Sequence, residues 1–444
     1  SWKTHDASWG GIAEHCRVNA IKSEFVGYDY DEAAGNPVSS VVAAIFVDGS
    51  SVESASAGAD AVVVCRRTPF YAESGGQVGD TGTISGEGYL FRVSDTRKQG
   101  DDCFMHVGKV ESGVLKVGHE AGLVVNRARL DTRRNHSTTH LLHRALRQVL
   151  GTHVRQRGSQ VSPERLRFDF SHMAPMTRQE IEQVEKLVQG WIFDDLPIVT
   201  REMPIEAAIA EGALHFFEDK YGESVRMVRM GDSVELCGGT HAARTSAIGL
   251  FKIVSEGGIS AGVRRIEALT GSAAVAWFRE RDRMLAEASE VLRCDGSQVA
   301  EKASRLVDTE KSLRKELADL KVKVAAAGSS GGDAGRIVEL GGIKVMVVPA
   351  DGMDRKGLRE LADVMRDRVG SGMVLITVAE GAKMSVVLAV SADLQKERPA
   401  GTTLNQVLAG IGGRGGGSPS LAQGSVDTPA DRGVILDALA KALQ

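Results

Sequence analysis

Several features are scarce in this sequence. No apolar run is long enough for a membrane-spanning helix: the longest clean one, Val41–Val47, falls far short of the ~20 residues required. Cysteine is rare and odd in number, five in 444 residues (Cys16, Cys65, Cys103, Cys237 and Cys294). That excludes a disulfide framework and fits a reducing compartment. An excess of one charge is also missing. Lys and Arg number 54 against 58 Asp and Glu, for a net charge of −4. Bulk charge therefore cannot hold nucleic acid, although local basic patches can. Nothing at the start resembles a signal peptide, because Ser1–Arg17 is polar with Trp2 and Trp9 as isolated large apolar residues. No Met stands at position 1, and residues 1–22 show no periodicity, so they read as a linker.

Glycine, by contrast, is abundant at 51 residues. From Phe25 to Asn126 short Val-rich runs (Val41–Val47, Ala61–Cys65, Gly122–Asn126) alternate with Gly, Asp and Ser turns, which predicts a small antiparallel barrel. Thr68–Gly82 lies inside it and is dense in glycine, either a long turn or a loop whose backbone approaches a ligand. Residues 129–270 read as mixed α/β. A helix is predicted over Asn135–Leu150, capped by Asn135 and stopped by Gly151. Leu142, Ala145, Leu146 and Val149 form one stripe on it; His136, His140 and His143 form another, roughly opposite. A helix over Gln179–Phe193 and a short one over Ile205–Ala210 follow, with strands at Pro197–Arg201, Val225–Val228, Ser233–Leu236, Ile248–Val254 and Val263–Leu269.

Residues 272–327 are helical and rich in charge. Leu306, Leu313, Leu317, Leu320 and Val324 recur at coiled-coil spacing, and Cys294–Ser297 breaks the pattern into a hairpin. Ala327–Gly335 reads as a flexible linker. Beyond it a β-α-β-β-α order is expected, with strands at Ile343–Val348, Met373–Val378 and Ser385–Val390 and helices at Leu358–Val369 and Asp431–Leu443. Between the last elements runs the glycine-rich Gly410–Gly424.

His136 and His140 are spaced i, i+4, so both imidazoles can converge on one metal. Ser137 follows His136 where a zinc peptidase would carry its Glu base, so that reading falls. Cys237 and His241 in Cys237-Gly-Gly-Thr-His241 are also four apart. The two pairs offer three imidazole nitrogens and one thiolate, a set that suits Zn²⁺. The glycines at 410–417 are not a phosphate-binding P-loop, because no Gly-Lys-Ser/Thr follows them.

His136-Ser-Thr-Thr-His-Leu-Leu-His143, then Arg165-Leu-Arg-Phe-Asp-Phe-Ser-His172, then Cys237-Gly-Gly-Thr-His241, together resemble the editing domain of alanyl-tRNA synthetases and of free-standing Ala-tRNA editing proteins. Thr68–Gly82 resembles the family's barrel segment, Ser255–Glu267 the end of its editing domain, and Gly410–Gly424 its C-terminal domain, which DHH-type phosphoesterases share. The resemblance runs from about residue 24 to the end. It implies a multidomain α+β chain: a small β-barrel (24–128), a mixed α/β zinc editing domain (129–271), a helical hairpin and linker (272–335) and a C-terminal α/β domain that binds tRNA (336–444). Residues 1–23 would be a linker from an aminoacylation core, with its ATP site, for which these residues leave no room.

The resemblance further implies one zinc held by His136, His140, Cys237 and His241. It implies hydrolysis of the ester joining Ser or Gly to tRNA(Ala), with Thr139 and Gln156 as the editing residues. The chemistry agrees: an activation site built for alanine cannot strongly reject glycine or serine, so a second site must. Thr139 can hydrogen-bond a seryl hydroxyl, or merely bond back to its own helix. Four protein ligands would close a structural zinc site, whereas a catalytic one keeps a position open. His143 is either support for a ligand or a plain polar-face residue. Arg264, Arg265 and Arg414 are expected phosphate contacts; the alternative for the first two is an alternating strand with one solvated Arg, and for the glycine loop bearing Arg414 a flexible loop with no ligand. The family works in the cytoplasm and in organelles. The leucine seam allows, without requiring, a homodimer through the C-terminal region. A different class of function is a non-catalytic, zinc-stabilised tRNA-binding and dimerisation module, against which Thr139 and Gln156 speak.

Overall fold

The computed structural model describes residues 6–31, 33–100, 102–214, 223–328, 335–380, 383–427 and 432–444. They divide into two compact units, Ser1–Met284 and Leu285–Gln444. None of the described helices is long and apolar enough to cross a membrane.

The first unit opens with a helix, α1 (Asp6–Val18), where the sequence predicted a linker. The error has a physical cause. Ile12 and Cys16 repeat at helical spacing and are buried beside Phe46, Val62, Val64 and Met105 of the barrel, but two contacts are too few to register as a pattern. The barrel itself is as expected. Strands Val38–Val47, Asp60–Cys65, Cys103–Lys116, Tyr89–Gln99, Gly82–Gly86 and Glu120–Val125 pair in that order, and the last pairs back onto the first. Closure removes the free edges, and alternate residues such as Ile45, Val63, Phe91 and Leu123 fill the interior.

Helix α2 (Arg129–Leu150) starts six residues before the predicted Asn135. Asn135 is no cap. It is buried inside the helix, donating to the carbonyls of Ser162 (2.8 Å) and Pro163 (3.2 Å) and accepting from Thr270 Oγ1 (2.7 Å). Gly151 does end the helix, with φ at +118° and its N–H on the Arg147 carbonyl. The predicted stripe of Leu142, Ala145 and Leu146 packs against Phe168, Val188, Ile253 and Ile266. Those partners come from α3 (Arg178–Phe193), capped by a Thr177–Glu180 box, and from a four-stranded antiparallel sheet. That sheet orders Gln156–Val161, Leu166–Ser171, Val263–Thr270 and Phe251–Ser260. A second sheet of Ile198–Pro204, Ser224–Met230 and Ser233–Leu236 follows, with the short α4 (Ile205–Ala210) beside it.

Helix α5 (Gly271–Leu292) passes from the first unit into the second, and α6 (Val299–Gly328) follows after a short break at residues 293–298. On α6 the seam residues Leu306, Leu313, Leu317, Leu320 and Val324 are all exposed, about half or more of each. Opposite them, Val322 packs on the C-terminal core. The predicted Gly/Ser linker falls mostly at 329–334, outside the described residues.

The C-terminal sheet has six strands in the order Arg336–Leu340, Ile343–Pro349, Met373–Glu380, Lys383–Val390, Leu421–Val426 and Arg414–Gly417. Helix α7 (Arg355–Val369) covers one face; α8 (Ala400–Ala409) and α9 (Arg432–Leu443) cover the other. The glycine-rich stretch is thus a packed hairpin rather than a loose loop. A β-carbon at Gly424 would lie 2.2 Å from Leu408 Cδ1, so glycine there lets α8 lie directly on the strand.

Candidate metal centre

Helix α2 carries His136 and His140 one turn apart, and the turn after strand Ser233–Leu236 carries Cys237 and His241. One ligand atom from each of the four lies within 4.8 Å of every other. Tetrahedral zinc would hold such atoms about 3.3–3.6 Å apart, so small rotations close the shell. His136 Nε2 is 3.3 Å from Cys237 Sγ.

Each histidine is held by its other nitrogen. The backbone N–H of Thr240 donates to Gln77 Oε1 (2.9 Å), which fixes the orientation of that amide. The same oxygen therefore accepts from His136 Nδ1 at 2.7 Å. His140 Nδ1 meets Glu235 Oε2 at 2.5 Å, and His143 Nδ1 meets Glu235 Oε1 at 2.8 Å. His241 Nδ1 lies 3.3 Å from Ser137 Oγ. These contacts leave the Nε2 atoms pointing into the cluster. Those of His140 and His241 are buried with no hydrogen-bond partner, which a buried imidazole tolerates poorly unless an ion takes the lone pair. The residues present therefore fit a metal ion.

The electrostatics agree. Burial alone would raise the Cys237 thiol, but His136 and His241 beside it hold it well below its ordinary value, toward thiolate. Burial likewise opposes ionisation of Glu235, yet His140 and His143 bring it down to about 2. Burial disfavours charge on His140 as well, but Glu235 and Cys237 outweigh it and favour a positive charge there. Burial pushes His241 down to about 3, so its ring is neutral. With Cys237 held toward thiolate inside the cluster and Glu235 ionised behind His140, the site gathers negative charge, and a bound cation would take the place of the proton favoured on His140.

The turn bearing Cys237 is itself clamped. Cys237 N–H donates to the Arg226 carbonyl (2.9 Å), Arg226 Nη1 donates to the Gly239 carbonyl (2.6 Å), and Tyr28 Oη donates to the Gly238 carbonyl (2.8 Å). Gly239 faces the His136 ring so closely that a β-carbon would lie 1.8 Å from Cε1.

Thr139 is buried next to the cluster, and its hydroxyl donates to the His136 carbonyl at 2.7 Å. It thus bonds back to the helix while its oxygen keeps lone pairs to accept. Gln156 begins strand Gln156–Val161 at a bulge and donates to Ser159 Oγ (3.0 Å). Ser159 abuts Gly76, and Val161 exchanges hydrogen bonds with Gly76 and Val78, so the segment bearing Gln77 lies along the Gln156 strand. Arg264 and Arg265 are already engaged: Arg264 pairs with Glu256 through two contacts, Arg265 with Asp169 at 2.7 and 2.8 Å. Arg414 is exposed at the edge of the C-terminal sheet. Sequence reasoning missed Gln77 and Glu235. Gln77 lay in a stretch already singled out for its glycines; Glu235, in an ordinary strand two residues before Cys237, gave no signal.

Three family descriptions match the chain: "tRNA synthetases class II (A)" over residues 5–129, "Threonyl and Alanyl tRNA synthetase second additional domain" over 225–267, and "DHHA1 domain" over 342–444. The second of these contains Cys237 and His241. Among curated proteins, alanine–tRNA ligase of Burkholderia orbicola is 45% identical over 93% of this chain, and that of Paraburkholderia phytofirmans 44% over 95%. The chain is related to the alanyl-tRNA synthetases. It spans about half the length of these relatives, 47% and 48%. A solved C-Ala domain from Aquifex aeolicus alanyl-tRNA synthetase is 26% identical, covering 24% of this chain and 97% of that one, with a TM-score of 0.23. The match to the alanyl-tRNA synthetases extends over both units, and the metal-site cluster lies within it.

Proposed function

We propose that this chain hydrolyses the ester of tRNA(Ala) mischarged with Ser or Gly, the editing activity of an alanine–tRNA ligase. The observation that carries this reading is the cluster of three buried histidines, His136, His140 and His241, with the half-buried Cys237, in a chain related to those ligases. The donor set of three imidazoles and a thiolate suits Zn²⁺. Zinc, when bound, supplies a fixed positive charge that orients the polar groups of the substrate.

The chain's own residues do the rest. Thr139 Oγ1 spends its proton on the His136 carbonyl, so toward a substrate it can only accept. A seryl hydroxyl can donate to it; an alanyl methyl cannot. A site built on such a bond discriminates far better than a small apolar pocket can. To Gln156, on the strand along which the Gln77 segment lies, we assign the orientation of the attacking water or the carbonyl. Water adds to the carbonyl carbon, the bond to the ribose oxygen breaks, that oxygen takes one of the water's protons, and the amino acid leaves as its carboxylate while the other proton passes to solvent. Arg414 is the retained phosphate contact, whereas Arg264 and Arg265 serve the sheet through Glu256 and Asp169. The α6 seam reads as the contact between two copies; Leu313→Glu should abolish that dimer, and sedimentation of wild type and variant checks it.

Release of labelled serine from Ser-tRNA(Ala) by the chain and by Cys237→Ala tests the proposal. Fast release by the first and none by the second supports it. No release above buffer from a zinc-loaded, tRNA-binding chain leaves the scaffold reading instead.

A further inference from the structure

Gln77 belongs to the barrel, yet its side chain is part of the helix-borne cluster. The residue is fully buried, and every polar atom of its amide is used. Oε1 accepts from His136 Nδ1 (2.7 Å) and from Thr240 N–H (2.9 Å); Nε2 donates to Thr240 Oγ1 (2.9 Å). Because the Thr240 N–H can only donate, the oxygen must face it, and His136 must then carry its proton on Nδ1. That tautomer is the one that leaves Nε2 free beside Cys237 Sγ. Gln77 thus joins one ligand on α2 to the turn that holds two others.

The surrounding segment is built to deliver this amide. Gly76 has φ at +85°, and a β-carbon there would lie 2.4 Å from the Ser159 carbonyl, so only glycine allows the approach. Val78 N–H donates to the Val161 carbonyl (3.0 Å) and Val161 N–H to the Gly76 carbonyl (2.7 Å), fixing Gln77 from both sides. Asp80 and Arg129 form a buried ion pair (2.9 Å) that ties the end of the segment to the start of α2.

We infer that Gln77 is a positioning residue of the metal centre: it sets the His136 tautomer, and through it the barrel governs how tightly the metal is held. This rests on the reading that the four-residue cluster binds zinc. A carboxylate at position 77 would still accept from His136 Nδ1 and Thr240 N–H, and Thr240 Oγ1 can turn to donate to its second oxygen. An apolar residue such as Leu would do neither.

The test is the affinity of the full chain for Zn²⁺, by chelator competition, for the wild type, Gln77→Glu, Gln77→Leu and Gln77→Asn. Gln77→Glu is expected to bind within about threefold of wild type, and Gln77→Leu and Gln77→Asn 10–100-fold more weakly. The Asn variant keeps a polar amide one methylene too short to reach, so it gives the same ordering should Gln77→Leu not fold. Any deacylation lost by the weak variants should return in excess zinc. Gln77→Asn or a folded Gln77→Leu that binds zinc as tightly as wild type, or Gln77→Glu as weak as they are, overturns the inference and leaves the metal reading standing. A wild type that takes up no zinc overturns both.

Discussion

Gly239 shows how narrow the tolerance is at single residues. A methyl group at this position would overlap the His136 ring. Gly239→Ala should therefore displace a ligand and weaken zinc binding by on the order of 10–100-fold, with a circular dichroism spectrum like the wild type's. Full zinc uptake by this variant would contradict the geometry. His106 makes a different prediction. It is buried in the barrel between Thr68 Oγ1 (2.7 Å) and the Val63 carbonyl (2.8 Å), and burial pushes it down to about 4. Between pH ~6.5 and 4 only the unfolded chain gains the proton, so the residue's contribution to stability is intact at neutral pH and falls as pH drops through that window, by up to about 3 kcal/mol. Urea unfolding of wild type and His106→Gln at pH 7 and 4.5 checks this: the substitution should flatten the dependence. At this scale the sequence was most informative where chemistry leaves few choices. Two i, i+4 pairs of metal-ligand residues announced the cluster. Asn135 was misread because Asn caps helices well, and nothing local says that its amide will meet Ser162, Pro163 and Thr270 across the fold.

Among elements, legibility followed period and length. Strands Ser233–Leu236 and Val263–Thr270, and helices α3 and α4, fell within a residue or two of expectation because their patterns are continuous. Helix α1 and the hairpin Arg414–Val426 did not, since one buries few side chains and the other packs through glycines, which carry no side chain to show a hydrophobic period. The junction between the barrel and α2 carries the third prediction. Arg129 is almost fully buried, donating to the Pro69 carbonyl (2.6 Å), to Asp80 Oδ2 (2.9 Å) and to the Gly27 carbonyl. Arg129→Met removes a donor from each of these acceptors and the counter-charge of a buried carboxylate, and should cost about 3–5 kcal/mol in chemical denaturation. A loss below about 1 kcal/mol would mean that the barrel and the helix are not coupled in this way.

For the molecule as a whole, the composition gave a near-neutral, multidomain chain, and the structure adds that the site is shared. The barrel supplies Gln77, helix α2 supplies His136, His140 and Thr139, and the turn after Ser233–Leu236 supplies Cys237 and His241. No alternation or helical period could reveal that sharing, because it depends on how the parts dock. The measurement that tests the central claim most directly is the ratio of kcat/KM for Ser-tRNA(Ala) to that for Ala-tRNA(Ala), in wild type and in Thr139→Val. The account predicts a ratio well above one that collapses toward one in the variant, chiefly through slower release of serine. Equal rates for both esters in the wild type, or a ratio unmoved by Thr139→Val, would contradict it.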